Sequence, residues 1–352
     1  MNMVFKRELP STKELKNMYP LSDELIEIKK HNDEEIKKIF TGESNKFLLI
    51  IGPCSADRED AVLEYMNKLK EVYEKIKDVI MIVPRVYTNK PRTRGVGYKG
   101  MLHQPDPTRD PDMIKGLISI RKLHMEVLRQ THFSTADEML YPENHEYLDD
   151  LISYVAVGAR SVEDQLHRLT ASGLDIPVGM KNPTSGDITI MLNAINAAEK
   201  PQTFIYRGWE VDTCGNEYTH AILRGYQDED GRNIPNYHYE TLNSLSKLYD
   251  NDHFKNPAII VDCNHSNSNK ECLEQVRIAK EVIHSIKVNP SIHKIVKGLM
   301  IESYLLDGSQ NVGDGIYGKS ITDPCLGFEK TETLLLEIAE ELRIINKKYE
   351  NE

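Results

Sequence analysis

The chain has 352 residues, room for one large core or two small ones, and its 39% hydrophobic and 28% charged content is ordinary for a globular protein. A formal net charge of −11 argues against a nucleic-acid partner, which needs a basic face, and no apolar run reaches the roughly 20 residues that cross a bilayer. Five scattered cysteines (Cys54, Cys214, Cys263, Cys272, Cys325) and a polar N-terminus fit neither a disulfide framework nor a secretory leader, so a cytoplasmic location is expected.

Residues 1–45 precede the first strand and contain a helical stretch, 22–40, ending near Gly42. This extension is expected to serve oligomerisation or regulation, ahead of a catalytic unit over 46–352. Short apolar, β-branched runs then alternate with polar, helix-like ones. Strands are predicted at 47–55, 79–87, 132–140, 154–162, 176–184, 202–208, 257–266 and 296–305. Helices are predicted at 58–77, 110–130, 143–152, 163–172, 187–199, 237–250, 268–286 and 329–348. Continuous rather than alternating hydrophobicity implies strands buried on both faces, as in a parallel sheet. Eight strand–helix units predict a (β/α)8 TIM barrel, because closure leaves no exposed edge; an open doubly wound sheet is the alternative. TCGNEYTHAILRGY (213–226) alternates like a β-hairpin and is predicted as an extra loop between the sixth and seventh strands. GVGYKG (95–100) matches GxGxxG, yet KPRTR precedes it and MLHQPDP cannot open a helix, so it reads as a loop and not a dinucleotide site.

Nearly every predicted strand ends in a residue that a core would not choose: Cys54, Arg85, Glu138, Arg160, Lys181, His265 and Glu302. One strand-end charge reaching solvent is unremarkable. Seven converge on one face in a barrel, where active sites are built. Arg85, Lys90, Arg92, Arg160 and Lys181, with Arg224 on the predicted hairpin, form a cationic set that suits substrates bearing phosphates and a carboxylate. Cys54, His265, Glu302 and Asp323 are all divalent-metal ligand types; their mixed softness suits Mn²⁺, Fe²⁺, Co²⁺ or Zn²⁺ without choosing among them. Cys54 can equally be a small buried apolar residue.

IGPCS (51–55), RVYTNKPRT (85–93), GAR (158–160), VGMKNPTSGD (178–187), DCNHSNSNK (262–270), MIESYLLDGSQ (300–310) and YGKSITDPC (317–325) together resemble the type I, N-terminally extended DAHP synthases. The related barrel that makes the eight-carbon sugar acid of lipopolysaccharide resembles KANRT or KANRS at the loop where this chain has KPRT. The resemblance implies an aldol-type condensation of phosphoenolpyruvate with D-erythrose 4-phosphate and water. It implies metal ligands at Cys54, His265, Glu302 and Asp323, with Mn²⁺ the first choice of ion. Phosphoenolpyruvate contacts are implied at Arg85, Lys90, Ala159, Arg160, Lys181 and Arg224, and an erythrose 4-phosphate segment at Pro91, Arg92 and Thr93. Catalytic roles fall to Lys90, Glu138 and His265, with Lys90 as acid and Glu138 on the water side; these roles require a lowered lysine pKa or a raised glutamate pKa. His167 matches a supporting residue. A homodimer or homotetramer and an aromatic amino acid effector are also implied, although MLYPENHEYL (139–148) departs from the relatives where the effector would sit. Two alternatives stand beside this reading: another barrel lyase or aldolase acting on phosphorylated sugars, either metal-dependent or a Schiff-base enzyme using Lys181, and a non-catalytic barrel that binds an aromatic amino acid.

Overall fold

A computed structural model describes residues 1–92, 95–252 and 254–350. Two capped helices open the chain. Ser11 and Glu14 form a reciprocal capping box for α1 (Thr12–Met18), Ser22 caps α2 (Asp23–Thr41), and Gly42 at φ 80° ends α2 in the left-handed conformation that glycine adopts without strain. There follow β1 (Phe47–Gly52), α3 (Glu59–Tyr73), β2 (Ile80–Pro84), α4 (Met113–Thr131), β3 (Thr135–Glu138), β4 (Ile152–Val157), α5 (Gln165–Ala171), β5 (Val178–Lys181) and α6 (Ile188–Ala198). After these come β6 (Thr203–Tyr206), β7 (Trp209–Asp212), β8 (Thr219–Leu223), β9 (Tyr226–Gln227), β10 (Asn233–Ile234) and α7 (Tyr239–Asp252). The chain closes with β11 (Ile259–Asp262), α8 (Glu274–Val288), α9 (Pro290–Ile295), β12 (Val296–Glu302) and α10 (Phe328–Glu350).

Eight strands form one parallel sheet in the order β2-β1-β12-β11-β8-β5-β4-β3. Its two edges meet where Arg85 bridges Ala136, with Val86 N–H donating to Ala136 O at 2.9 Å, so the sheet curls into the expected barrel. Alternate residues divide between two cores, as a two-residue side-chain period dictates. Leu49 and Ile51 of β1 face the surrounding helices, while Leu48 and Ile50 face the interior with Met81, Val83, Ile222, Ile260 and Met300. Ile36, Ile39 and Phe40 of α2 join that inner cluster, so the N-terminal extension packs into the barrel core. Each such buried side chain contributes about 1.5–3 kcal/mol. Gly298 marks the tightest contact between β1 and β12, since a Cβ there would lie 2.1 Å from Leu48 O; an alanine would force the two strands apart.

Three expectations about residue ranges are overturned. The stretch 202–208 is not the sixth barrel strand: β6 pairs antiparallel with β7 in a surface hairpin, its own side chains alternating between exposed and half-buried. The sixth barrel strand is β8, inside the 213–226 stretch read as a hairpin, and it pairs with β5 and β11. The physical reason is His220. Its polarity made THAIL look half-solvated, but inside the barrel Tyr154 Oη lies 2.7 Å from Nε2 and Tyr218 O lies 2.9 Å from Nδ1. A hairpin does occur between the sixth and seventh barrel strands, built from β9 and β10. The helix expected at 143–152 is a single 3-10 turn, Pro142–Tyr147, before β4. No helix among the described residues is long and apolar enough to cross a membrane.

Candidate active site

The strand ends deliver the predicted side chains to one barrel mouth. Cys54 follows β1, Arg85 and Lys90 follow β2, Glu138 ends β3, Ala159 and Arg160 follow β4, and Lys181 ends β5. Arg224 follows β8, His265 follows β11, and Glu302 ends β12. GVGYKG lies in a loop, as expected.

Cys54 Sγ and one carboxylate oxygen each from Glu302 and Asp323 lie within 4.8 Å of one another. His265 places Nε2 3.7 Å from Glu302 Oε1, beside this trio and not within the same spacing. Two carboxylates and a thiol so close repel unless cations offset them. Lys90 Nζ stands 2.7 Å from Cys54 Sγ, and Arg85 Nη2 stands 2.7 Å from Glu302 Oε1. Arg85 and Glu302 are essentially unexposed, and the guanidinium also lies 3.6 Å over the Tyr87 ring. The donor set fits a divalent ion in charge, donor type and spacing.

Burial pushes the Cys54 thiol up to about 11, aided by Glu302 and opposed by Lys90. Burial works against the charge of Glu138 too, yet Lys181, then Lys90, Arg85 and His265, hold its carboxyl below the usual range. Lys90 is likewise disfavoured by burial but is raised above the ordinary lysine value by Cys54, Glu302 and Asp323. Both shifts run opposite to those expected for a tuned acid and base. They favour the ammonium form of Lys90 and the carboxylate form of Glu138.

Lys181, 3% exposed, has its Nζ 3.4 Å from Glu138 Oε2 and 4.0 Å from Asp262 Oδ2. Arg224 is buried and shifted down, first by that burial and also by the like charge of Arg160. Arg92 Nε donates to Tyr98 O at 2.8 Å, and the side chain lines a cleft of about 520 Å³ with Lys319, Thr322 and Asp323. Pro91 precedes it in a half-buried loop, and Thr93 lies outside the described residues. His167 has both ring nitrogens against acceptors, Asp164 on one side and Met139 and Leu140 carbonyls at 3.1 and 3.2 Å on the other. That is a satisfied structural histidine behind the Glu138 loop.

Several contributors escaped the sequence reading. Asp262 Oδ2 lies 2.8 Å from His265 Nδ1, an ion-pair distance although the two are out of line for a hydrogen bond. Asn264 Nδ2 donates to Glu302 Oε2 at 2.7 Å, and Gln275 bonds both the N–H and the carbonyl of Glu302 at 2.9 Å. The DCNHS motif contained two of these. Nothing in its spacing says that its aspartate sits against the imidazole of the same motif, or that its asparagine bonds a carboxylate from β12. Cys325 sits behind the trio, its Sγ accepting from Cys54 N–H at 3.3 Å.

A thiol–carboxylate trio, two of its members buried and Asp323 half-buried, flanked by Arg85 and Lys90 at the C-terminal mouth of a parallel barrel, defines the class: a (β/α)8 enzyme for phosphorylated anions. The chain belongs to the DAHP synthetase I family, whose model matches residues 25–336. It is 36% identical over 342 residues to the Phe-sensitive phospho-2-dehydro-3-deoxyheptonate aldolase of Escherichia coli K12, covering 95% of this chain and 94% of that one. It is 32% identical over 351 residues to the phospho-2-dehydro-3-deoxyheptonate aldolase of Corynebacterium glutamicum, covering 96% and 92%. The solved structure of phospho-2-dehydro-3-deoxyheptonate aldolase from Francisella tularensis SCHU S4 superposes with a TM-score of 0.90 at 32% identity, over 98% of this chain and 99% of that one.

Proposed function

We infer that this chain condenses phosphoenolpyruvate with D-erythrose 4-phosphate and water, giving DAHP and inorganic phosphate, the first step of the shikimate pathway to aromatic amino acids. What supports it most is Arg85 and Lys90 in contact with the Cys54–Glu302–Asp323 trio, with Lys181 beside Glu138 at the same barrel mouth. Arg85, Lys90, Arg160, Lys181 and Arg224, with the Ala159 backbone, hold the phosphate and carboxylate of phosphoenolpyruvate. Pro91, Arg92 and Thr93 hold the phosphorylated aldehyde. Positioning of this kind supplies a large part of the barrier reduction. Cys54, His265, Glu302 and Asp323 hold one divalent ion, Mn²⁺ in first place with Fe²⁺, Co²⁺ and Zn²⁺ compatible. That ion supplies Lewis-acid polarisation of an aldehyde oxygen.

C3 of the enol phosphate attacks the aldehyde carbon while water adds at C2, and the resulting hemiketal phosphate expels phosphate. Lys90, favoured as an ammonium beside Cys54, stabilises the alkoxide by its charge and hands it a proton through water, a transfer that its raised pKa slows and that the greater basicity of an alkoxide still permits. Glu138, favoured as a carboxylate, accepts the proton of the incoming water.

The direct test is stoichiometry. One phosphate released for each phosphoenolpyruvate consumed, only when the aldehyde is present, supports the reading; phosphate released without the aldehyde, with pyruvate as product, overturns it.

We place the enzyme in the cytoplasm as a homodimer or homotetramer. Exposed Val4 and Phe5 on the extension and Ile205 and Trp209 on the β6–β7 hairpin support self-association. The Phe sensitivity named for the E. coli relative supports an aromatic amino acid effector. A cleft of about 1000 Å³, lined by Lys16, Lys29, His145, Phe204 and Thr213 between the extension and the hairpin, is the place we assign to it.

A further inference from the structure

Asp137 is a charged residue without an evident charge partner at full contact, buried one position before Glu138 on β3. The alternation of a strand sends Glu138 into the barrel mouth and Asp137 to the opposite face, against α4. A carboxylate taken out of water costs several kcal/mol unless donors replace its hydration. Here they do. Oδ1 accepts from Thr88 N–H at 2.9 Å and from Glu138 N–H at 2.7 Å, Oδ2 accepts from the Thr88 hydroxyl, and His124 of α4 brings Nε2 to 3.7 Å of Oδ2.

These partners are not scattered. Thr88 lies two residues before Lys90, at the root of the loop that carries Lys90, Pro91 and Arg92. One buried carboxylate therefore ties the root of that loop to the backbone of Glu138, joining segments from two strands that pair through only a short bridge, Arg85–Ala136. Farther along, the loop is held by Lys90 N–H donating to Lys99 O at 3.0 Å and Leu102 N–H donating to Thr88 O at 3.2 Å. Those bonds hold the loop to itself. Of the bonds at Thr88, the two to Asp137 anchor it to the end of β3. A loss of register of about 1 Å at a substrate-positioning segment can cost about a hundredfold in rate.

We propose that Asp137 is a positioning residue for the aldehyde side of the site, holding Thr88 so that Lys90–Arg92 stands at a fixed place relative to Glu138. This rests on the reading of Pro91–Thr93 as the segment that holds erythrose 4-phosphate. Of the phosphoenolpyruvate cations Lys90 rides on the same loop, whereas Arg160, Lys181 and Arg224 come from other strands and are not bonded to Asp137, so erythrose 4-phosphate binding responds more strongly to its loss.

The test compares wild type with Thr88→Val, Thr88→Ser and Asp137→Asn by two readouts on the metal-loaded enzyme. The first is amide hydrogen exchange over residues 86–92, which needs no turnover. The second is the pair of Michaelis constants. Thr88→Val, which removes one hydroxyl at nearly constant volume, and Asp137→Asn are expected to speed exchange in that segment about tenfold. They are also expected to raise KM for erythrose 4-phosphate about tenfold and KM for phosphoenolpyruvate only about two- to threefold, since Lys90 alone of its cations rides on that loop, with Thr88→Ser close to wild type. Unchanged exchange, or both Michaelis constants rising in parallel, overturns the proposal and leaves Asp137 as a fold-stabilising group. Faster exchange in variants of a wild type that does not consume erythrose 4-phosphate supports the positioning and locates the error in the functional reading.

Discussion

Replacing Lys181 by methionine keeps most of its volume and removes its charge. The side chain is buried, with Nζ 3.4 Å from Glu138 Oε2 and 4.0 Å from Asp262 Oδ2, so it cannot relax into solvent. A hydrogen bond to a charged group contributes about 1.5–3 kcal/mol. At about 1.4 kcal/mol per decade, its loss raises KM for phosphoenolpyruvate about 10- to 150-fold. A second effect follows from the same contact. Lys181 is the largest of the charges holding Glu138 below the usual carboxylate range. Without it the folded-state pKa of Glu138 rises, and the carboxylate is lost at a higher pH as the solution is acidified. The acid limb of the rate profile therefore moves up in pH relative to wild type. The assay follows loss of the ultraviolet absorbance of phosphoenolpyruvate, with each substrate varied in turn across pH. A rise confined to KM for erythrose 4-phosphate refutes the assignment and means that the two pockets are reversed. An acid limb that does not move removes Glu138 from the pH-sensitive step.

Other perturbations probe the trio and its surroundings. Cys54→Ser replaces a soft ligand by a hard one and is expected to weaken Mn²⁺ or Zn²⁺ retention on dialysis; unchanged metal content and activity remove Cys54 from the ligand set. Asp262→Asn, beside His265, is expected to lower metal affinity about 10- to 100-fold, as the loss of outer-shell partners does, and equilibrium dialysis reads it directly. Arg85→Met leaves Glu302 buried without its closest cation and is expected to cost about 3–5 kcal/mol in urea unfolding of metal-free protein. Loss below about 1 kcal/mol means that Glu302 is neutral there, since only an ionised carboxylate makes the full penalty.

The barrel was legible because its strands are buried on both faces and read as unbroken apolar runs: Phe47–Gly52 and Ile80–Pro84 are buried at every position. The site was legible for a related reason. Arg85, Glu138, Lys181 and Glu302 are charges at the ends of such runs, and barrel closure turns seven separate oddities into one surface. What failed was local patterning where tertiary partners override polarity. THAIL carries a histidine that Tyr154 satisfies inside the barrel, while TFIY, apolar by composition, lies on the surface in a hairpin with Trp209–Asp212. The directions of the Lys90 and Glu138 shifts were equally out of reach. They depend on how many opposite charges crowd each group, and spacing along the chain does not record that. Asp137 and Gln275 belong to the same class, polar residues whose partners come from distant segments.

The most direct measurement offers phosphoenolpyruvate with either erythrose 4-phosphate or arabinose 5-phosphate, before and after EDTA, and records the loss of enol absorbance. Turnover with the four-carbon aldehyde alone, abolished by chelation and restored by Mn²⁺, is the predicted result. Turnover with arabinose 5-phosphate contradicts the acceptor assigned to the KPRT loop. Turnover that survives chelation and is trapped by borohydride at Lys181 contradicts the metal site and points to a Schiff-base aldolase instead.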